Sequence, residues 1–349
     1  MAQELNFVDM PGAPERPLDN ILEPSDIMYV DNLKMHFPVT KGLMKRQVGV
    51  VKAVDGVTFR LKRGETLGIV GESGSGKSTI GNCILRNTIP TSGNIYYEGN
   101  NMKDLSDHAL RRMRKNLQTI TQDPFASLDP RKNIMDIVSE GLRIHKLFKN
   151  KDEMDDMVVR HLEMVGINPD FRFRYPHEFS GGQRQRISIA RALAVQPNFI
   201  VCDEVVSALD VSIQAQIVNL LMKLQENMNL TYVFIGHDLS VVRYISNNVA
   251  VLYLGKIMEL TSSDELYNHP LHPYTQALIS AAPIPNPIVD RKRERILLNG
   301  EIPSPINPPK GCNFCTRCPY ADERCKNEKP EMVDVGNNHM VACHRVTGK

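Results

Sequence analysis

Along the chain the rhythm of apolar residues changes, and each change marks an element. From Ile27 the segment IMYVDNLKMHF alternates as a strand does, breaks at the basic loop KGLMKRQ, and resumes through VVKAVDGVTFRL to the turn KRGE. These segments predict an antiparallel β-layer. LGIVGESGSGKSTIGNCIL then runs from an apolar strand through a glycine-rich turn into a helix, the order of an α/β protein. IMDIVSEGLRIHKLF and DEMDDMVVRHLEMVGI carry apolar residues at helical spacing; in the second, Met154, Val158, Leu162 and Val165 share a face that Gly166 ends. They suggest a helical insertion. Two short apolar runs, NFIVCDE and LTYVFIGHD, read as buried parallel strands with polar groups at their C-terminal ends, where open α/β sheets place ligands. NVAVLYLGKIMEL predicts a hairpin turning at Gly255, and from about Pro270 rising proline content marks a boundary. No internal repeat is visible.

With 349 residues, 42% of them hydrophobic, the chain can bury a sizeable core. Its 42 basic and 40 acidic residues leave a net charge of +2, so no overall field advertises nucleic acid or acidic lipid. The run RKRER, Arg291 to Arg295, is interrupted by glutamate and reads as solvated surface, so no nucleic-acid partner is expected. Residues 1 to about 27, acidic and carrying four prolines, predict a loosely ordered tail. There is neither a leader pattern nor a run of about 18 apolar residues, so a cytosolic chain is expected. Thiols stay reduced in that compartment, which favours metal over disulfides for the four cysteines of GCNFCTRCPYADERC, Gly311 to Cys325.

The chemistry begins at Gly71 to Ser78, GESGSGKS, which fits GxxxxGKS between a strand and a helix. Its glycines let backbone N–H groups turn onto phosphates, Lys77 reaches the β- and γ-phosphates, and Ser78 offers its hydroxyl to magnesium. The strand NFIVCDE ends in paired acids: Asp203 is the candidate to hold magnesium through water, and Glu204 to accept a proton from the water attacking the γ-phosphate.

Between these sites lies FSGGQRQR, Phe179 to Arg186, and with it the sequence resembles the ATP-binding cassette (ABC) family. Gln122 in TQDP matches that family's Q-loop, Ser207 to Asp210 its D-loop, and His237 in IGHD its switch histidine. The resemblance implies an α/β fold over residues 28–265: a P-loop NTPase cassette with a RecA-like core, an antiparallel β-layer and a helical insertion at about 123–185. It implies ATP on Gly71, Ser73, Gly74, Ser75, Gly76, Lys77, Ser78 and Thr79, with Phe37 as the candidate to stack on adenine; core packing of Phe37 is the alternative. Magnesium falls to Ser78, Gln122 and Asp203, and catalysis to Glu204, His237, Lys77 and Gln122. Ser180, Gly181, Gly182, Gln183 and Asp210 would contact the nucleotide of a second cassette, so that two cassettes sandwich two ATPs. Two departures stand out: Val205 where proline commonly follows the acids, and Gly236 where serine is frequent before the histidine.

HPLHPYTQALISAAPIP and GEIPSPINPPKGC resemble the C-terminal extension of oligopeptide and dipeptide importer ATPases, and favour the second of their two ATPase subunits. The implied partners are a second, non-identical ABC ATPase, two membrane permeases and an extracellular or periplasmic binding protein. The implied place is the cytoplasmic face of the membrane. Relatives with the same extension import nickel, glutathione or oligosaccharides. A soluble ABC ATPase acting on DNA or ribosomes is the rival from another class, but such proteins typically carry coiled-coil arms or two cassettes, and this chain has neither. Intact Lys77, Asp203, Glu204 and His237 argue against a purely regulatory cassette.

Residues 266–349 then form the C-terminal extension, expected to be a small metal-stapled module. Cys312, Cys315 and Cys318 begin as a ferredoxin-like run does, but the next cysteine follows too late. The family resemblance implies a [4Fe-4S] cluster on Cys312, Cys318, Cys325 and Cys343, with Cys315 an extra thiol. Zn2+ on four thiolates is the alternative, and free thiols a third. Cys83 and Cys202 read as packed thiols.

Overall fold

Mostly apolar segments form the parallel strands of this protein and alternating ones form its antiparallel layer. The computed structural model describes residues 23–42, 46–282 and 295–348; most of the N-terminal tail and nearly all of RKRER lie outside them. Its strands are β1 (Asp26–Lys41), β2 (Arg46–Lys62), β3 (Thr66–Val70), β4 (Ser92–Tyr97), β5 (Asn100–Asn101), β6 (Leu117–Ile120), β7 (Phe199–Asp203), β8 (Thr231–Ile235), β9 (Asn248–Tyr253), β10 (Lys256–Ser262), β11 (Val333–Asp334) and β12 (Met340–Val341). The helices bearing on function are α1 (Lys77–Ile84), α2 (Asp107–Met113), α3 (Pro124–Ser127), α4 (Ile134–His145), α5 (Lys151–Met164), α6 (Gly181–Leu193), α7 (Val211–Met228), α8 (Leu239–Ile245), α9 (Ser263–Asn268) and α10 (Pro273–Ala281).

Residues cluster into two compact units. One holds residues 23–28, Lys62–Glu65 and Tyr96–Val233. Its strands run in the order β8-β7-β6, with β8 contributing Thr231–Val233, and β6 pairs parallel with β7, with Ile120 opposite Cys202. Phe199, Ile200 and Val201 are at most 1% exposed, as a run apolar on both faces requires. Helices α4, α5 and α6 pack on one another. The α5 face of Met154, Val158 and Leu162, with Val165 after it, is at most 6% exposed, and Gly166 takes φ 72, so the expected helix and its stop are both present. Asn133 and Asn150 cap α4 and α5 by accepting backbone N–H groups.

The other unit holds Tyr29–Leu61, Thr66–Ile95 and 234–348. In its antiparallel layer, β2 buries Val57, Phe59 and Leu61 while Thr58 and Arg60 face outward. A second set of strands runs β11-β12-β10-β9-β3, with β3 parallel to β9 and Val70 opposite Val251. The hairpin between β9 and β10 turns on Leu254 and Gly255 at φ 43 and 75, the double left-handed turn that matches strand twist. On its far side β10 accepts β12, with Glu259 opposite Val341, so the end of the chain extends the strands that carry the phosphate loop. Glu259 is fully buried, and its carboxylate is satisfied by Leu271 N–H at 2.8 Å, His272 N–H at 3.0 Å and His339 Nε2 at 2.7 Å.

Candidate functional site

Where β3 ends at Val70, the chain turns through Gly71–Gly76 into α1. Gly71 and Gly76 take φ 151 and 107, and a Cβ on either would strike the carbonyl of Leu252 or Ala53 respectively. Only glycine fits at either place. Ser73, Gly74 and Ser78 are exposed, whereas Ser75 is buried and its carbonyl accepts the Gly255 N–H at 2.9 Å. Lys77 is 6% exposed, and its Nζ donates to the carbonyls of Gly71 at 2.8 Å and Glu72 at 3.1 Å. The ammonium is thus drawn over a loop whose helix N-terminus, with Gly76 as N-cap, bears no side-chain cap. That arrangement suits an anion.

In the same unit, the Gly236 N–H donates to Ile69 O at 3.2 Å, which sets Gly236 beside the end of β3, and His237 after it is exposed. Asp238 then caps α8 by accepting the Ser240 and Val241 N–H groups. A Cβ at Gly236 would stand 3.0 Å from Val242 Cγ2, tight packing that accounts for glycine in place of serine. Phe37 in β1 is 39% exposed and therefore not a core residue.

The first unit holds the other candidates. Because Ile120 and Cys202 are opposite partners in parallel strands, Gln122 and Glu204, each two residues further on, leave the same edge of the β6-β7 pair. Asp203 ends β7, half-buried. Glu204 has φ 50, a left-handed conformation uncommon outside glycine, and its carbonyl accepts the Ser207 N–H at 3.1 Å and the Ser207 hydroxyl at 2.9 Å. Proline at 205 would force the preceding residue into an extended conformation; Val205, 1% exposed, does not. Behind the acids, burial pushes the Cys202 thiol far up, as it pushes Cys83 up to about 11 in the other unit. Both are inert packed thiols.

Ser180 is the N-cap of α6: its hydroxyl oxygen accepts Gln183 N–H at 3.3 Å while Gln183 Oε1 accepts Ser180 N–H at 3.0 Å. The SGGQ signature is therefore also a capping box. As acceptor, the hydroxyl still has its hydrogen to donate. Gly181 and Gly182 open the helix, and Asp210 is exposed at the start of α7. Phe179, in the signature's first place, is 4% exposed and meets the Phe171 ring edge-on at 6.3 Å.

Among the described residues no three His, Cys, Asp or Glu side chains are gathered so as to hold a metal ion, so the expected metal-stapled module is not present as a preformed metal group. The five thiols are nonetheless electrostatic neighbours. Burial pushes Cys312 up to about 12, and the charges of Cys315, Cys325 and Cys343 add to that push; Cys318 is raised by burial, with Cys343 and Cys315 adding, and Cys325 by burial, with Cys318 adding. Backbone groups of Phe314, Tyr320 and Asp322 beside Cys312, Cys318 and Cys325 oppose the rise. The Cys312 N–H donates to Cys325 O at 2.8 Å, closing the segment on itself.

Sequence reasoning missed the residues that brace the phosphate loop. Arg317 holds Glu72 in a two-pronged ion pair, Glu72 N–H donates to Tyr274 Oη at 3.0 Å, and Phe314 lies fully buried between Tyr253 and Tyr274. The opposite charges of Glu72 and Arg317 were visible, but nothing in the sequence pairs positions 245 apart.

Comparison with known proteins agrees with this geometry. Residues 54–207 match the family model described as ABC transporter, and residues 258–325 that described as Oligopeptide/dipeptide transporter, C-terminal region. The chain is 56% identical to the oligopeptide transport ATP-binding protein AppF of Bacillus subtilis, covering 91% of this chain and 97% of that protein. It is 49% identical to the oligopeptide transport ATP-binding protein OppF of Haemophilus influenzae, covering 92% and 97%. Among solved structures it resembles cbiO1 of Clostridium perfringens, part of the cbiONQ ABC transporter complex, with TM-score 0.61 and 25% identity over 70% of this chain and 92% of that one. It also resembles the cassette MJ0796, a dimer in a post-hydrolysis state bound to ADP and Pi, with TM-score 0.60 and 29% identity over 68% and 98%. With a phosphate loop, a capped signature helix and paired acids at a strand end, the chain belongs to the ABC ATPases, in the family of oligopeptide transport ATP-binding proteins.

Proposed function

We propose that this chain binds ATP with magnesium and hydrolyses it to energise import of di- or oligopeptides through a membrane transporter. The observation that carries the ATP site is the phosphate loop, where two obligatory glycines and a lysine drawn onto the loop carbonyls prepare a polyanion cradle at a helix N-terminus. Peptide cargo rests on the match at residues 258–325 and on the relatives' names.

In this proposal Gly71 and Ser73 to Thr79 wrap the phosphates, Lys77 neutralises the β- and γ-phosphates, and Ser78, Gln122 and Asp203 hold magnesium. Glu204 takes a proton from the attacking water, and its left-handed backbone fixes the direction of its side chain. His237 contacts the γ-phosphate and Phe37, exposed on β1, stacks on adenine. Ser180, Gly181, Gly182, Gln183 and Asp210 serve the nucleotide of a second, non-identical ATPase subunit. ATP then acts as a releasable link between the two cassettes, and its hydrolysis reopens them against two permeases supplied by an external binding protein. The proposed place is the cytoplasmic face of the membrane, as a peripheral subunit of the transporter; no helix among the described residues is long and apolar enough to cross a membrane.

For the cysteines we favour a [4Fe-4S] cluster on Cys312, Cys318, Cys325 and Cys343. The donor set fits by its chemistry: thiols in electrostatic reach of one another are the soft ligands such clusters use. A single zinc ion on four of the thiolates is the alternative. The cluster's contribution would be structural cross-linking.

The hydrolytic assignment is tested by Glu204→Gln in the assembled complex. ATP binding is expected to persist while turnover falls by about 10²–10⁴. Near-normal turnover would remove Glu204 from its role.

A further inference from the structure

The phosphate loop GESGSGKS contains one acidic side chain, Glu72, in a loop shaped for a polyanion. A bare carboxylate there would repel the nucleotide. The structure supplies its counterion from the cysteine segment: Arg317, between Cys315 and Cys318, places Nη1 2.7 Å from Glu72 Oε2 and Nη2 3.1 Å from Oε1. Exposed ion pairs contribute little, but this one is bidentate and its arginine side chain is 9% exposed.

The arginine is also held in place. Three residues earlier, Phe314 is fully buried, with ring centroids 5.3 Å from Tyr253, 5.2 Å from Tyr274 and 5.8 Å from His272. Asn313 donates to Leu254 O at 3.0 Å, and the next residue, Gly255, donates to Ser75 O within the phosphate loop. Tyr274 in turn accepts the Glu72 N–H. The cysteine segment therefore reaches the loop at Glu72 directly and at Ser75 through one turn.

We propose that Arg317 is a positioning residue of the nucleotide site: it neutralises Glu72 and fixes the start of the phosphate loop, giving the cysteine segment a share in ATP binding. This rests on the ATP-binding function above. An arginine that only stabilised the fold would matter through stability alone. One that neutralises Glu72 matters because Glu72 is charged, and removing that charge relieves its loss.

The test is equilibrium binding of a fluorescent ATP analogue to the full chain, purified anaerobically, with melting temperature measured on each sample. Arg317→Ala is expected to weaken binding about tenfold, a usual size for coupling between linked sites, and less at high salt. Glu72→Gln combined with Arg317→Ala should recover most of that loss. Should Arg317→Ala not fold, Arg317→Gln, which keeps hydrogen-bonding capacity without charge, carries the same expectation. Unchanged affinity in the single variant overturns the proposal, as does a double variant no tighter than the single one. A wild-type chain that fails to bind the analogue would instead overturn the ATP-binding function itself.

Discussion

Ser180 holds a helix cap and, in the proposed dimer, a partner's nucleotide, and two substitutions at this position separate the roles. As cap, its hydroxyl accepts Gln183 N–H at 3.3 Å at the start of a 13-residue helix that buries Ile187, Ile189 and Leu193. Ser180→Ala removes the cap and costs about 1 kcal/mol, too little to unfold a helix so anchored. Ser180→Asp keeps the cap, because aspartate caps as well as serine, but points a carboxylate where a phosphate would lie. Two unit charges about 4 Å apart at an effective dielectric of about 20 repel by about 4 kcal/mol, roughly a thousandfold. Ser180→Asp should therefore melt like the wild type and bind ATP in its own phosphate loop, yet lose ATP-driven pairing and roughly a thousandfold in turnover once assembled. Ser180→Ala should show the reverse balance, a lower melting temperature and a smaller loss of turnover. The assays are thermal unfolding, nucleotide binding to the isolated chain and ATPase activity of the complex. Wild-type turnover in the Ser180→Asp complex would refute the second anion site, and unchanged melting of Ser180→Ala would refute the cap.

Two further outcomes concern the C-terminal part. His272, 1% exposed, accepts the Tyr274 N–H on Nδ1 at 3.0 Å as the N-cap of α10, and burial pushes its pKa from 6.5 down to about 3. The unfolded chain then takes up the proton first, so stability is full above about pH 6.5 and falls below it, by roughly 2 kcal/mol at pH 5; His272→Asn, which keeps a capping side chain, should flatten that slope in thermal unfolding, and an unchanged slope would exclude His272 as its source. Anaerobically purified full chain should contain about four irons and four sulfides, fewer in Cys343→Ser, whereas one zinc and no iron would replace the cluster with a zinc staple.

What the sequence made legible was local. The α5 face, the stop at Gly166 and the turn at Gly255 each follow from a few adjacent residues whose backbone demands admit one solution. Phosphate-loop glycines are legible for the same reason, since the motif and the conformation occupy the same eight positions. Other features were hidden by length or by double meaning. The two residues of β12 are too few to show a period, so nothing in their pattern marks the strand added to β10. SGGQ reads in the sequence as a candidate anion site and has the spacing of a capping box as well, and a motif open to two physical readings reveals only the one being sought. The left-handed Glu204 carries no sequence mark except the missing proline at 205.

The pairing of Glu72 with Arg317 was hidden for a deeper reason. Each residue belongs to a motif with its own explanation, one to phosphate binding and one to the thiols, so neither asks for a partner. Yet each motif is incomplete alone. A phosphate loop with an acidic second residue calls for a cation besides Lys77, whose ammonium is drawn to the carbonyls of Gly71 and Glu72. A short cysteine segment with one deeply buried aromatic needs an external surface to fix its orientation, and finds it in the aromatic rings beside that loop. Each supplies what the other lacks, which is why the cysteine segment sits at the phosphate loop rather than elsewhere on this unit.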